Sequence, residues 1–374
     1  MYGHRPTYAE IDLAALLHNF DEIRRQAGPA RQILAVVKAD AYGHGAARVA
    51  PALEAAGAEL FGVALVEEGV ALRQAGVTRP ILVLGGTYPG QEEILLQHDL
   101  TATIFNLDGM RRLQERAVAA GTVCPCHLKI DTGMGRVGFQ PRELAGILAE
   151  LGTLNGLRLE GVISHLALAD EAAHPFTEIQ TEIFRQALQQ VRQAGFAPRY
   201  IHLSNSADLF VRDLPECNLV RPGIALYGGL PAEYLASRLA LRPVMNFRTS
   251  VAHLKEVPAG TGISYGHRFV ATRPSLLATI PVGYADGYTR KLTNCGEVLV
   301  RGQRARVAGT VCMDWTLIDV TDIPGVAVGD PVTLLGRDNG QRISAEEWAE
   351  RVGTINYEVF CQISKRVPRI YSGF

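Results

Sequence analysis

Two textures of hydrophobic patterning divide the chain. Up to about residue 221, short continuous apolar runs recur at Ile33 to Val37, Phe61 to Leu65, Ile81 to Leu84, Thr101 to Phe105, Cys126 to Ile130, Leu159 to Ser164, Tyr200 to Leu203 and Leu219 to Arg221. Runs without alternation are what parallel strands buried on both faces require. Helical periodicity fills the gaps, predicting helices over Ala46 to Ala56, Glu67 to Ala75, Gln91 to His98, Asp108 to Ala120, Pro141 to Leu151 and Thr177 to Ala194, the last closed by Gly195. Strands alternating with helices in this way predict an α/β fold, a parallel (β/α)8 barrel of TIM type. A doubly wound sheet would use fewer strands, and the first turn lacks a Gly-x-Gly-x-x-Gly.

On either side of this region the pattern differs. Thr7 to Ile11 alternates as a strand that could pair with a second domain, and Asp12 caps a helix from Leu13 to about Gln26, stopped by Gly28. After about Arg238, short strands with glycine turns take over: Phe247 to Val257, Ser275 to Val282, Glu297 to Val300, Ala305 to Val311, Thr316 to Val320 and Pro331 to Leu335. A capping box from Ser344 to Glu347 opens a helix, and Tyr357 to Ser364 predicts another. The expected domains are 1–238, the barrel, and 239–374, mostly β. A chain of 374 residues is longer than one core usually serves.

Charge and composition narrow the partners. Thirty-seven basic and 38 acidic side chains leave a net charge of -1, which gives no general field for nucleic acid. Met1 to Pro6 holds no apolar core of signal type, and no run approaches the ~18 apolar residues of a membrane span. The expectation is a cytoplasmic protein with neither nucleic-acid nor membrane partners. Six cysteines without a Cys-x-x-Cys pair indicate no disulfide framework and no metal site, and Cys124 and Cys126 fall on one face of a strand.

Function in such barrels collects at the C-terminal ends of the strands. Lys38 and Tyr42 follow the first run, Lys129 to Arg136 the fifth, His165 the sixth, Ser204-Asn205-Ser206 the seventh and Arg221-Pro222-Gly223-Ile224 the eighth. Packing alone does not call for so many polar groups on one rim. Lys38 could be a rim lysine reaching for water, or a partly desolvated amine able to form a Schiff base. The seventh and eighth loops offer hydroxyls, an amide and a glycine to a phosphate. An amine, a phosphate cradle and an arginine together suggest pyridoxal phosphate.

Several stretches are longer than chance would produce: Ala35-Val-Val-Lys38-Ala-Asp-Ala-Tyr42-Gly-His-Gly45, Lys129-Ile-Asp-Thr-Gly-Met-Gly-Arg136, Arg221-Pro-Gly-Ile-Ala-Leu-Tyr227, Ile263-Ser-Tyr265-Gly266, Gly283-Tyr284-Ala-Asp-Gly287 and Val311-Cys-Met313-Asp314. Through them the chain resembles the fold-type III alanine racemases, from about Thr7 to Tyr371. The resemblance implies a cytoplasmic homodimer with shared active sites that interconverts L-alanine and D-alanine and supplies D-alanine for peptidoglycan. Lys38 would carry the pyridoxal phosphate and act as one base, with Tyr265 of the partner subunit as the other. Two bases suit racemisation, because a proton must leave one face of the α-carbon and return to the opposite one.

Tyr42, Ser206, Gly223, Ile224 and Tyr357 would hold the phosphate, and His165 would lie beside the ring. Arg221 would face the ring nitrogen; an arginine donates but never accepts, so that nitrogen stays unprotonated and the ring is a weaker electron sink. Arg136 and the Met313 amide would receive the substrate carboxylate. Lys129 would support Arg136, as a carbamate in several relatives. His202 would orient the tyrosine, and Tyr284 with Tyr357 would narrow the site to alanine, with serine barely larger. Two departures concern only the phosphate contacts: serine at 204 and 206, and Asp208 where glycine is usual. A cofactor-carrier protein of the same barrel lacks the β domain and Tyr265, and the related amino-acid decarboxylases use a different glycine-rich phosphate motif and a cysteine-based partner site.

Overall fold

The structure is a computed structural model and describes residues 5–373. Its first strand, β1 (Tyr8–Asp12), precedes a helix at Leu13–Ala27 whose first turn is capped by Asp12 through Ala15 N at 3.0 Å. The barrel then runs through β2 (Gln32–Val36), β3 (Leu60–Val63), β4 (Ile81–Val83), β5 (Thr101–Ile104), β6 (Cys124–Lys129), β7 (Leu157–Ile163), β8 (Tyr200–His202) and β9 (Leu219–Val220). Every ladder in it is parallel, in the order β8-β7-β6-β5-β4-β3-β2-β9. β8 and β9 meet through Asn218 N to the Ile201 carbonyl and Arg221 N to the Ser204 carbonyl, both 3.1 Å, so the barrel is nearly closed. The strand residues are apolar because the inner side chains fill the barrel and the outer ones face helices.

One interior position is polar by design of the backbone. The β6–β7 ladder shifts register between Cys126 and His127. Opposite that point, a Cβ on Gly161 would lie 2.6 Å from His127 Nδ1, so glycine makes room for the imidazole inside the barrel.

The second sheet is antiparallel apart from one ladder, and it draws on both ends of the chain. β1 pairs antiparallel with Met245–Ser250 and parallel with Arg369–Ser372. From Met245–Ser250 the order continues through Pro331–Asp338, Glu297–Val300, Gln303–Val307, Thr316–Asp319 and Ser275–Ile280 to the edge strand His253–Val257. The expected single strand from Phe247 to Val257 is therefore two strands at separated places in the sheet. Ser250 pairs with Pro331, whereas His253 pairs with Thr279. The apolar alternation continues through Val251 and so hides the change of partner.

The segment after Lys38 is not the simple glycine turn its sequence suggests. Ala39, Asp40, Ala41 and Tyr42 all sit in the left-handed helical region, with φ of 52, 53, 54 and 53°. For residues bearing a Cβ this costs on the order of 1–2 kcal/mol each, so the turn must be held from outside. Glu68 Oε1 accepts from Ala39 N at 2.7 Å and Asp40 Oδ1 from Ala46 N at 2.7 Å. Arg369 Nε donates to the Gly43 carbonyl at 3.0 Å, and the Tyr371 hydroxyl to the His44 carbonyl at 3.2 Å. A Cβ on Gly45 would overlap the Tyr371 hydroxyl. The last strand of the chain thus clamps the turn that presents Lys38.

Candidate active site

A cavity of about 380 Å³ opens at the C-terminal ends of the barrel strands. Lys38, Tyr42, Lys129, Arg136, His165, Ser206, Arg221, Gly223, Ile224 and Tyr357 all line it. Asn205 lines it as well, and sequence reasoning had not singled out the apolar wall formed by Val36, Ala64, Leu84 and Ile163, or Gly85 and Val137. All but Val137 lie at or just beyond strand ends, which was the one signal that could have found them, since they carry no chemistry of their own.

The cavity concentrates cations. Burial lowers the pKa of Lys38, and the Arg136 charge lowers it further. Lys129, 7% exposed, falls to about 7 through burial and then the charges of Arg221 and Arg136. Such a site favours anions and keeps a share of its lysines in the reactive neutral form.

Arg221 is fully desolvated, which lowers its pKa to about 10 and leaves it charged at neutral pH. Its Nη2 donates to the Ser164 carbonyl at 2.7 Å and the Leu203 carbonyl at 2.9 Å, and lies 3.3 Å from His165 Nδ1. Because arginine cannot accept, His165 Nδ1 is the acceptor and its ring proton sits on Nε2. Burial, and then Arg221, push the His165 pKa down to about 2, in keeping with a neutral ring. Arg221 Nη1 is buried without a hydrogen-bond partner.

The phosphate end is built by contact. Asn205 Oδ1 caps the short helix Ser206–Leu209 through Ala207 N and Asp208 N, both 3.1 Å. Ser206 Oγ accepts from Gly223 N at 2.8 Å. A Cβ on Gly223 would stand 2.5 Å from the Tyr42 hydroxyl, so only glycine lets that phenol lie against the loop. Tyr42 packs between Tyr227 and Tyr357 with tilted rings, at centroid distances of 5.0 and 5.9 Å. Asp208, the unusual residue here, is buried and its Oδ1 is bonded to Arg212 Nε at 2.5 Å, turned away from the cavity lining. The residues present fit pyridoxal phosphate: a depressed lysine amine, a hydroxyl and amide cradle, and one buried, unpaired guanidinium nitrogen suited to an acceptor on a ring.

Four expected residues are not in the cavity lining. Tyr265, Tyr284 and Met313 lie on the second domain and are 72%, 41% and 53% exposed. Tyr265 is set on a strained turn, with Ser264 at φ 62° and the Tyr265 carbonyl accepting from Thr310 Oγ1 at 2.8 Å. The fourth is His202, which ends β8 inside the fold. It is 0% exposed, its Nε2 is 2.8 Å from His127 Nδ1, and burial drives its pKa well down. His165, by contrast, lines the cavity. Among the described residues no cluster of three or more His, Cys, Asp or Glu could hold a metal, and no helix is long and apolar enough to cross a membrane.

The fold and site define a class of protein: a TIM-type barrel with a strand-end lysine in its cavity, joined to a β domain that carries an exposed tyrosine. Within that class, "Alanine racemase, N-terminal domain" matches residues 11–231 and "Alanine racemase, C-terminal domain" residues 244–371. The alanine racemase of Geobacter sulfurreducens is 53% identical over 98% of this chain and 97% of its own, and that of Halothermothrix orenii 46% over 98% and 97%. The alanine racemase structure from the D-cycloserine producing Streptomyces lavendulae superposes with a TM-score of 0.95 at 37% identity, covering 100% of this chain and 98% of that one. The alanine racemase of Bacillus anthracis with bound L-Ala-P gives 0.94, also at 37%, covering 100% and 97%. The chain belongs to the alanine racemase family and is an amino-acid racemase.

Proposed function

We propose that this protein interconverts L-alanine and D-alanine by a two-base mechanism with pyridoxal phosphate, in a homodimer whose sites are each completed by the partner. The observation that carries this reading is the Lys38 amine, its pKa lowered, sharing one cavity with the unpaired Arg221 Nη1. Lys38 would hold the cofactor, with the phosphate on Tyr42, Ser206, Gly223, Ile224 and Tyr357 and Arg221 Nη1 toward the ring nitrogen. When bound, pyridoxal phosphate supplies an electron sink that lets the α-hydrogen leave as a proton. Arg221 keeps its own proton, which limits that sink and favours simple proton exchange over transamination.

Lys38 serves one face of the α-carbon and the partner subunit's Tyr265 the other. A phenol needs help to act as a base, its ordinary pKa being near ~10. His165 offers it: with Nδ1 committed to Arg221, the Nε2–H is free to donate to the phenolate oxygen and stabilise it. A second subunit is supported by the exposure of Tyr265, Tyr284, Met313 and Trp315 on one domain, a set of large apolar side chains that wants covering. Arg136 and the partner's Met313 amide receive the carboxylate, while Tyr284 and Tyr357 restrict the side chain to small groups. On this reading the D-alanine produced is supplied for peptidoglycan.

Incubation with L-alanine in deuterated water, followed by NMR of the α-proton and chiral detection of D-alanine, tests the reading. Wild type should exchange and invert, and Tyr265→Phe should lose L-to-D turnover by roughly two orders of magnitude or more. Protein that binds pyridoxal phosphate but neither exchanges nor inverts alanine would refute it.

A further inference from the structure

The chain before β1 brackets the loop that carries Tyr284. Arg5 reaches Asp286 with two prongs, Nη2 to Oδ1 at 2.6 Å and Nη1 to Oδ2 at 3.0 Å, and the carboxylate is fully buried. Asp286 Oδ2 also accepts from Gly283 N at 3.1 Å. Two residues after Arg5, the buried Thr7 hydroxyl donates to the Pro281 carbonyl at 2.7 Å and meets Thr249 Oγ1 at 2.8 Å. The arm therefore grips positions 281 and 286, on both sides of Tyr284.

That loop is in turn joined to the one carrying Met313. Tyr284 N donates to the Cys312 carbonyl at 3.0 Å and Ala285 N to the Met313 carbonyl at 3.1 Å. A Cβ on Gly283 would lie 2.3 Å from the Cys312 oxygen and 2.4 Å from that of Met313, so the two backbones touch. Arg366 closes the frame, with Nη2 on Asp314 Oδ1 at 2.7 Å and Nε 3.6 Å from Asp286 Oδ1. A bidentate arginine fixes orientation as well as distance, which a lysine does not.

We propose that Arg5, seconded by Thr7, is a positioning residue that holds Tyr284 and Met313 as one unit at the substrate end of the site. This rests on the roles proposed for those two residues above. Arg5 touches neither substrate nor reacting atoms. Its loss leaves Lys38 and Tyr265 in place but loosens the carboxylate-receiving amide and the wall that limits side-chain size. Binding and selection of the amino acid suffer, and proton transfer does not.

The test uses purified, cofactor-loaded protein as wild type, Arg5→Ala, Arg5→Lys and Thr7→Val. KM and kcat for L-alanine, the serine-to-alanine ratio, and hydrogen–deuterium exchange of the amides at 283–286 and 311–315 are measured together. For Arg5→Ala, KM should rise roughly two- to thirtyfold with kcat within about twofold, and serine should gain on alanine. Exchange at Tyr284 and Ala285 should quicken, Arg5→Lys should recover part of each effect, and Thr7→Val should shift them in the same direction without removing a charge. A fall in kcat at unchanged KM, or unchanged exchange in both Arg5→Ala and Thr7→Val, overturns the proposal. Wild type that does not racemise alanine defeats the functional reading instead, and the exchange data still decide whether the arm clamps the loops.

Discussion

Gly223→Ala is the sharpest perturbation of the cofactor cradle, because the structure says what the added methyl would strike. The new Cβ would sit 2.5 Å from the Tyr42 hydroxyl and 3.2 Å from its ring carbon, where ordinary contact begins near 3.4 Å, so the phenol must retreat by about 0.9 Å. It has little room to do so. Tyr42 is buried between Tyr227 and Tyr357, and its backbone is locked in the left-handed turn. Overpacking of this kind costs about 1–3 kcal/mol. Expressed wholly as lost cofactor affinity, that is roughly a 5- to 150-fold weaker Kd.

Titration of pyridoxal phosphate into apoprotein, followed by its visible absorbance, reads the change, and a urea midpoint taken without cofactor reports any share that falls on stability. Tyr42→Phe supplies the control by removing the atom that would be struck. Alanine at 223 should then cost less than it does beside tyrosine, so the two changes should not add. A loss under about twofold for Gly223→Ala with an unchanged midpoint, or the same loss beside phenylalanine, would refute the steric account.

Acid should destabilise the fold well before its carboxylates protonate. His44, His127 and His202 are 0% exposed, with pKa values pushed by burial to about 4, about 3 and well below the ordinary 6.5. The unfolded chain therefore binds more protons than the folded one below pH 6.5. Their stabilising effect is complete above that pH and drains as pH falls toward the folded values, by about 2 kcal/mol per histidine at pH 5 as an upper figure. Urea midpoints at pH 7.5 and 5.0 check this, and equal midpoints would contradict it. Lys129, at about 7, is substantially neutral near pH 7, the form that takes up carbon dioxide as a carbamate. The carbamate would reverse the charge beside Arg136, so KM for L-alanine should rise in carbon dioxide-free buffer and recover with bicarbonate; an indifferent KM argues for a plain amine.

Much of this protein is settled by local order in the chain. Unbroken apolar runs separated by helical periods read as buried parallel strands, and their number, eight, points to a barrel over a doubly wound sheet. The same regularity delivers Lys38, Lys129, His165, Ser206 and Arg221 to one rim, since each comes at or within a few residues of its strand's end. What tertiary structure decided are relations between distant residues. Met245–Ser250 and His253–Val257 read as one strand because alternation is blind to which neighbour a strand pairs with. The left-handed turn over Ala39 to Tyr42 has no signature in its own residues, because its cost is met by Glu68, Arg369 and Tyr371. His202 ends its strand and His165 follows one by two residues; only the folded barrel, with Gly161 admitting His127, shows the first buried against His127 and the second lining the cavity. Arg5 and Asp286 are 281 residues apart, a separation at which sequence pattern carries no information about contact and only the fold can bring two charges within 2.6 Å.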